Sequence, residues 1–177
     1  MPTYQAPVQD SLFLLNDVLN FQRYNNLPGF ADATPDMIEA ILGEAGKLAG
    51  EVLQPLNQVG DHEGCTRHDD GSVTTPTGFK EAYAKYCEGG WGGLPFPEQY
   101  GGQNLPATIN TLVVEYVSSA NMAFGMYPGL TSGAIAALLE HASDEQKEAY
   151  LPKMISGEWS GTMNLTEPHC GTDLGLM

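Results

Sequence analysis

Residues 143–173 read SDEQKEAYLPKMISGEWSGTMNLTEPHCGTD, and within them the chain changes its periodicity. Ser143-Asp144-Glu145-Gln146 has the form of a helix cap, a hydroxyl residue followed three positions later by a glutamine that can reach back. Lys147, Tyr150, Leu151 and Met154 continue it as a short helix, and Gly157 stops the pattern. Beyond Gly157, Trp159, Gly161, Met163 and Leu165 alternate with Ser160, Thr162, Asn164 and Thr166. A period of two predicts a strand, here closed by Pro168 and the turn residue Gly171.

Upstream of this switch the pattern is helical. Asp10-Ser11 precedes Leu12, Phe13, Leu15, Val18 and Leu19, a first short helix that Pro28-Gly29 closes. Thr34-Pro35-Asp36 is a start signal, a capping hydroxyl with proline at the first helical position. Met37, Ile38, Ile41, Leu42, Leu48, Val52 and Leu53 carry that second helix to Pro55, which is expected to end or kink it. Residues 57–75 read as a polar loop. Thr75-Pro76-Thr77-Gly78 then introduces Phe79, Tyr83 and Tyr86 at helical spacing, stopped by Gly89-Gly90. Residues 91–106, rich in glycine and proline around Trp91 and Phe96, predict an ordered loop packed by its own rings. Helices follow at 107–119 and 122–141. The expected fold class is mainly α: a bundle of about six helices over residues 1–157, then the first strand of a β domain over 158–177. The closing residues, Gly171 to Met177, form a glycine-rich turn with no element after it, as expected of a chain cut inside its second domain.

The 177 residues carry 22 acidic and 7 basic side chains, a net charge of −15, so the long-range field repels phosphate backbones and anionic membranes. Nucleic acid and membrane partners are not expected. The three cysteines, Cys65, Cys87 and Cys170, are odd in number and widely spaced, which suits free thiols in a reducing compartment and predicts a cytoplasmic protein. The N-terminus lacks a basic region followed by an apolar run, and no apolar stretch is counted as long enough to span a membrane.

Two groups of motifs resemble the acyl-CoA dehydrogenase family. The first comprises Asp144-Glu145-Gln146-Lys147, Tyr150-Leu151-Pro152, Gly157-Glu158, Leu165-Thr166-Glu167-Pro168 and Gly171-Thr172-Asp173, in order and at matching spacing. The second is Gly89-Gly90-Trp91-Gly92-Gly93-Leu94 with Pro97-Glu98-Gln99-Tyr100-Gly101-Gly102, a loop that the family places between two helices of its N-terminal domain. Residues 71–83 and the added first helix are similar to the longer members, the methylmercaptopropionyl-CoA type among them. His169 and Cys170 stand where the family usually has small residues.

The resemblance implies the N-terminal helical domain and the opening of the middle β domain of a flavoprotein. That enzyme uses FAD to oxidise an acyl-CoA thioester to the trans-2-enoyl-CoA, with an electron-transfer flavoprotein as acceptor and a homo-oligomeric assembly. It places Met163, Leu165 and Thr166 against the isoalloxazine, with the Thr166 hydroxyl on the pyrimidine edge. Gly171 and Thr172 fall near the pyrophosphate, and Thr172 near the thioester ligand as well. Gly125, Met126 and Gly129 are the implied acyl-pocket residues. The general base of the family is a glutamate of the C-terminal helical domain, so no carboxylate here takes that role, Glu167 included, and these residues alone are expected to be inactive. A strand ending in proline and a glycine turn leaves backbone N–H groups unpaired, which independently suits a planar ligand.

Competing readings are weighed beside these. Residues 166–173 are also an ordinary strand-to-turn connection in composition. Met122, Phe124, Met126, Tyr127 and Leu130 are first read as plain core, since apolar stripes usually are, and second as a wall of an acyl pocket. His62, Cys65, His68 and Asp69 offer metal-ligand atoms, but a solvated loop explains them and no metal is expected. His141 suits a helix C-terminus. An oxidase or monooxygenase of the same fold, or a cofactor-free helical assembly module, remains an alternative function.

Overall fold

The computed structural model describes residues 3–176, and helices dominate it. Helix α1 (Val8–Phe13) begins before Asp10-Ser11 and widens into a π turn over Leu14–Val18. Ser11 therefore does not precede the helix. It lies inside the helix, where its Oγ donates to the Pro7 carbonyl at 3.1 Å and accepts the Tyr116 hydroxyl at 2.6 Å. Asn20, at φ 47°, breaks the run before a short 3-10 turn at Phe21–Tyr24.

Helix α2 (Pro35–Lys47) starts as its sequence predicts, with Thr34 Oγ1 accepting the Met37 amide at 3.3 Å and Pro35 in the first turn. Its buried stripe of Ile38, Leu42 and Ala45 faces the main core. Pro55 neither ends nor breaks the helical path. Leu48–Leu53 widens to a π turn and α3 (Gln54–Glu63) follows directly. Proline supplies no N–H for the turn before it, and the wider π register immediately upstream absorbs that missing bond. Residues 57–63, expected as loop, are consequently helical.

The rest of that expected loop forms a two-strand hairpin, β1 (Thr66–Arg67) with β2 (Val73–Thr74), paired antiparallel with Thr66 opposite Thr74. Its turn is held by the Asp70 carboxylate, which accepts the Ser72 amide and hydroxyl at 2.9 and 2.7 Å. Helix α4 (Phe79–Glu88) buries Ala82 and Tyr86.

The glycine-rich loop at 91–106 is ordered, with Leu94, Phe96 and Leu105 buried. It bonds to itself through Asn104 N to Phe96 O at 2.8 Å and Leu105 N to Leu94 O at 2.9 Å. Gly102 is required there, because a Cβ would overlap the Phe96 carbonyl oxygen.

Helices α5 (Ala107–Ala120) and α6 (Met122–His141) meet at Asn121, and α7 (Asp144–Ile155) follows. The predicted box opens α7: Ser143 Oγ accepts the Gln146 amide and the Gln146 side chain accepts the Ser143 amide. The main core joins α1, α2, α4 and α5, and includes Phe124 of α6. A second cluster of Phe96, Ile135, Leu151, Met154 and Ile155 binds α6 to α7 and the glycine-rich loop. Truncating a fully buried member such as Ile38 or Leu151 to alanine costs about 2–5 kcal/mol.

Two sequence expectations are corrected at the C-terminal side. Residues 159–166 form no strand: the alternation is present, but a strand needs a ladder partner and none lies among the described residues. Helix α6, in turn, is 20 residues long with a mean hydropathy of 1.3, long and apolar enough to cross a membrane by length and composition. It is nonetheless tied into the bundle through the buried Asn121, whose side-chain amide donates to the Leu53 carbonyl at 3.1 Å.

Candidate functional site

Helix α6 and the segment that follows α7 lie against each other, and together they carry all the sequence-nominated site residues. Asn121 caps α6 by accepting the Phe124 amide at 3.0 Å. Phe124, Pro128, Thr131 and Ile135 form its buried side.

The plain-core reading of the Met122–Leu130 group holds only for Phe124. Met122, Met126 and Tyr127 are 60%, 58% and 47% exposed, which leaves one face of α6 apolar and uncovered. Gly125 packs tightly, for a Cβ there would lie 3.1 Å from Ser118 Oγ and 3.4 Å from Val117 Cγ1 of α5. Its small size therefore serves helix approach. Gly129 and Gly133 differ: a Cβ on either would meet nothing within 4 Å.

Tyr83, Tyr86, Phe124 and Tyr127 make an aromatic cluster between α4 and α6, with Tyr83 edge-on to Tyr127 at 5.1 Å between ring centres. Burial holds the Tyr86 phenol up at about 12, and burial beside Cys87 raises Tyr83 as well. The Cys87 thiol is also pushed up by burial, so it stays protonated and a poor nucleophile. A groove of about 640 Å³ opens beside this cluster, bounded by the hairpin and by Phe79, Lys80 and Ala123.

The segment after α7 crosses this assembly. Gly157, at φ +82°, accepts the Tyr83 hydroxyl on its carbonyl at 3.1 Å. Trp159 N donates to the Lys153 carbonyl at 3.0 Å while its ring lies beneath the Lys153 ammonium and against Tyr150. Ser160 is hydrogen-bonded to the Tyr127 hydroxyl, and the Gly161 amide donates to Thr131 Oγ1 at 3.1 Å.

After Gly161 the anchoring stops. Among the described residues, the backbone groups of 162–166 make no hydrogen bond, and Met163 is 63% exposed. Glu167 and Gly171 then exchange both amide bonds at 2.9 Å and close the turn around His169 and Cys170. Thr166, Gly171 and Thr172 are all exposed, and Leu165 is half-buried.

The structure thus joins the two nominated groups through α6, although by hydroxyls that the sequence did not single out. By sequence Tyr127 is only part of the apolar group and Ser160 only part of the alternation, and the hydroxyls of Tyr127, Thr131 and Ser160 become informative only once residues some 30 positions apart are brought together. The four potential ligands near the hairpin do not converge: no metal-binding group of three occurs among the described residues.

Comparison with known proteins places the chain. The model of the acyl-CoA dehydrogenase N-terminal domain matches residues 39–158, so the chain belongs to the acyl-CoA dehydrogenase family. Among its relatives, the 3-methylmercaptopropionyl-CoA dehydrogenase of Ruegeria pomeroyi is 44% identical over 172 residues, covering 97% of this chain and 29% of that protein. A butyryl-CoA dehydrogenase of Syntrophomonas wolfei is 37% identical over 92% of this chain and 26% of its own length. The broad-specificity linear acyl-CoA dehydrogenase FadE5 of Mycobacterium tuberculosis is 28% identical over 99% of this chain and 28% of its own. The chain therefore spans less than a third of the length of these relatives. A solved structure from work on the electron transferring flavoprotein of Acidaminococcus fermentans superposes with a TM-score of 0.61 at 26% identity, over 77% of this chain and 33% of that one.

Proposed function

We propose that the full-length protein is an FAD-dependent acyl-CoA dehydrogenase, oxidising an acyl-CoA thioester to the trans-2-enoyl-CoA, and that these residues supply one wall of its acyl site and one edge of its flavin site. The observation that carries this reading is the unpaired backbone of residues 162–166, which leaves the Gly161 anchor on α6 beside an uncovered apolar helix face.

The residues present fit the cofactor on that observation. A flavin's pyrimidine ring presents alternating donors and acceptors, and an extended backbone with free N–H and C=O groups is complementary to it. Met163 and Leu165 would lie against the ring, the Thr166 hydroxyl on its polar edge, and Gly171 and Thr172 near the pyrophosphate. Gly171, at φ +61° with open space at its Cα, allows close approach of a phosphate to the backbone. When bound, FAD accepts the hydride that leaves the β-carbon.

The share of this chain is alignment and exclusion of water. Met126 and the open position at Gly129 would line the acyl chain, with Gly125 keeping α6 close against α5 behind that wall and Thr172 nearer the thioester. The base that removes the α-proton, and the donors for the CoA phosphates, belong to parts of the protein outside these residues; an acidic segment of net charge −15 is poorly suited to hold phosphates itself. An electron-transfer flavoprotein as acceptor, a homo-oligomeric assembly and a cytoplasmic setting complete the proposal.

The test is anaerobic addition of an acyl-CoA to the purified full-length protein. Bleaching of the flavin with appearance of the enoyl-CoA is the expected result. Absence of flavin, or bleaching without enoyl product, would refute the assignment. Rapid peroxide formation in air would mark an oxidase instead.

A further inference from the structure

We infer that Tyr127 and Thr131 are positioning residues that set the distance between the acyl chain and the flavin. This inference rests on the dehydrogenase reading above.

The two residues lie on the same helix as the acyl-site candidates, within about a turn and a half of Met126 and Gly129, and their hydroxyls reach across to Ser160 and to the Gly161 amide. Those bonds sit just before Met163, the first flavin-side candidate, and no hydrogen bond among the described residues holds 162–166. Helix α6 therefore acts as a ruler with the acyl wall and the flavin edge both referred to it. Packing makes the contact stiff as well as polar. A Cβ on Gly161 would stand 2.5 Å from Ala134 Cβ and 3.2 Å from Thr131 Cα, so the segment lies flush on the helix only because residue 161 is glycine. Tyr83, bonded to the Gly157 carbonyl, fixes the upstream end of the same segment from α4.

Hydride transfer depends steeply on the separation of the reacting atoms, whereas binding of a long thioester is spread over many contacts. Loosening the two hydroxyl anchors should then lower the rate of the chemical step more than the affinity. A role in folding alone predicts a lower thermal midpoint with the reduction rate of the folded enzyme unchanged.

The experiment uses the full-length holoenzyme with Tyr127→Phe and Thr131→Val, singly and combined, and with Thr131→Ser as the conservative control. Flavin reduction is followed by stopped flow at saturating butyryl-CoA, and butyryl-CoA affinity and the thermal midpoint are measured beside it. The double variant is expected to reduce its flavin about tenfold more slowly with affinity changed by less than about twofold, and Thr131→Ser to keep most of the rate. Equal reduction rates in wild type and double variant would overturn the inference while leaving the dehydrogenase reading intact. So would a rate loss that Thr131→Ser shares in full. If the double variant does not fold, Tyr127→Phe, which removes one half-exposed hydroxyl, decides by the same criteria. A wild type that butyryl-CoA and longer acyl-CoAs fail to bleach refutes the dehydrogenase reading itself, and the inference with it.

Discussion

Asn121 joins Leu53 to the start of α6: its side-chain amide donates to the Leu53 carbonyl at 3.1 Å, while its carbonyl oxygen caps the helix through the Phe124 amide. Leu53 is the last residue of the π turn, so one buried side chain ties the irregular end of the second helix to the helix that carries the candidate acyl wall.

Asn121→Ala removes the cap and the buried bond to the Leu53 carbonyl at once. A loss of about 1–3 kcal/mol is expected, the sum of an N-cap deletion and a lost buried hydrogen bond. Urea unfolding of the two proteins measures it; a change below about 0.5 kcal/mol would show that water replaces both bonds and that the tie is incidental.

Gly161→Ala tests the close approach of the C-terminal segment to α6. The new methyl group would lie 2.5 Å from Ala134 Cβ, so a destabilisation of about 1–3 kcal/mol is expected from overpacking. The partner change Ala134→Gly should relieve part of it. A double-mutant cycle with no coupling between the two sites would mean that the segment does not rest on the helix.

How much of this was legible beforehand depends on the range of the interaction. Thr34-Pro35 and Ser143 with Gln146 are local signals, complete within one helical turn, and α2 and α7 begin where those residues place them. Pro55 misled because its cost was absorbed by a π turn six residues long, which no side-chain pattern encodes. By sequence Ser11 only precedes the first helix, but it serves as an internal link to Tyr116, 105 positions away. The alternation at 159–166 was seen correctly but lacks a ladder partner here. The nominated site residues Thr166 and Gly171 came from spacing and resemblance, whereas Tyr127 and Thr131 emerge only when α6 is laid beside the segment after α7.

Alkaline pH should destabilise the bundle through Tyr86. Burial raises its phenol to about 12, above the ordinary value of 10.0, so the folded state favours the neutral form. The associated stability is fully present below pH 10 and is lost as pH rises through 12, by about 2–3 kcal/mol at the limit for this one group. Tyr83, shifted in the same direction, adds to the effect. Stability measured by urea between about pH 9 and 12, from about one unit below to two above the ordinary phenol value, should fall less steeply for Tyr86→Phe. Parallel curves would show that Tyr86 ionises freely and is not held in the core.

The account turns on the extended backbone after Gly161 being the flavin edge, and Thr166→Val in the full-length protein tests that placement most directly. Valine keeps the shape of threonine and removes only the hydroxyl, which is exposed here and makes no bond within the chain among the described residues. If it bonds the flavin, its loss leaves a polar edge of the cofactor unpaired, at a cost of about 1–3 kcal/mol. FAD titration of the apoproteins should then give an affinity lower by about tenfold or more for the variant, with the thermal midpoint of the apoprotein unchanged. Equal FAD affinity in the two proteins would contradict the placement of Thr166, and with it the claim that this segment forms the edge of the flavin site.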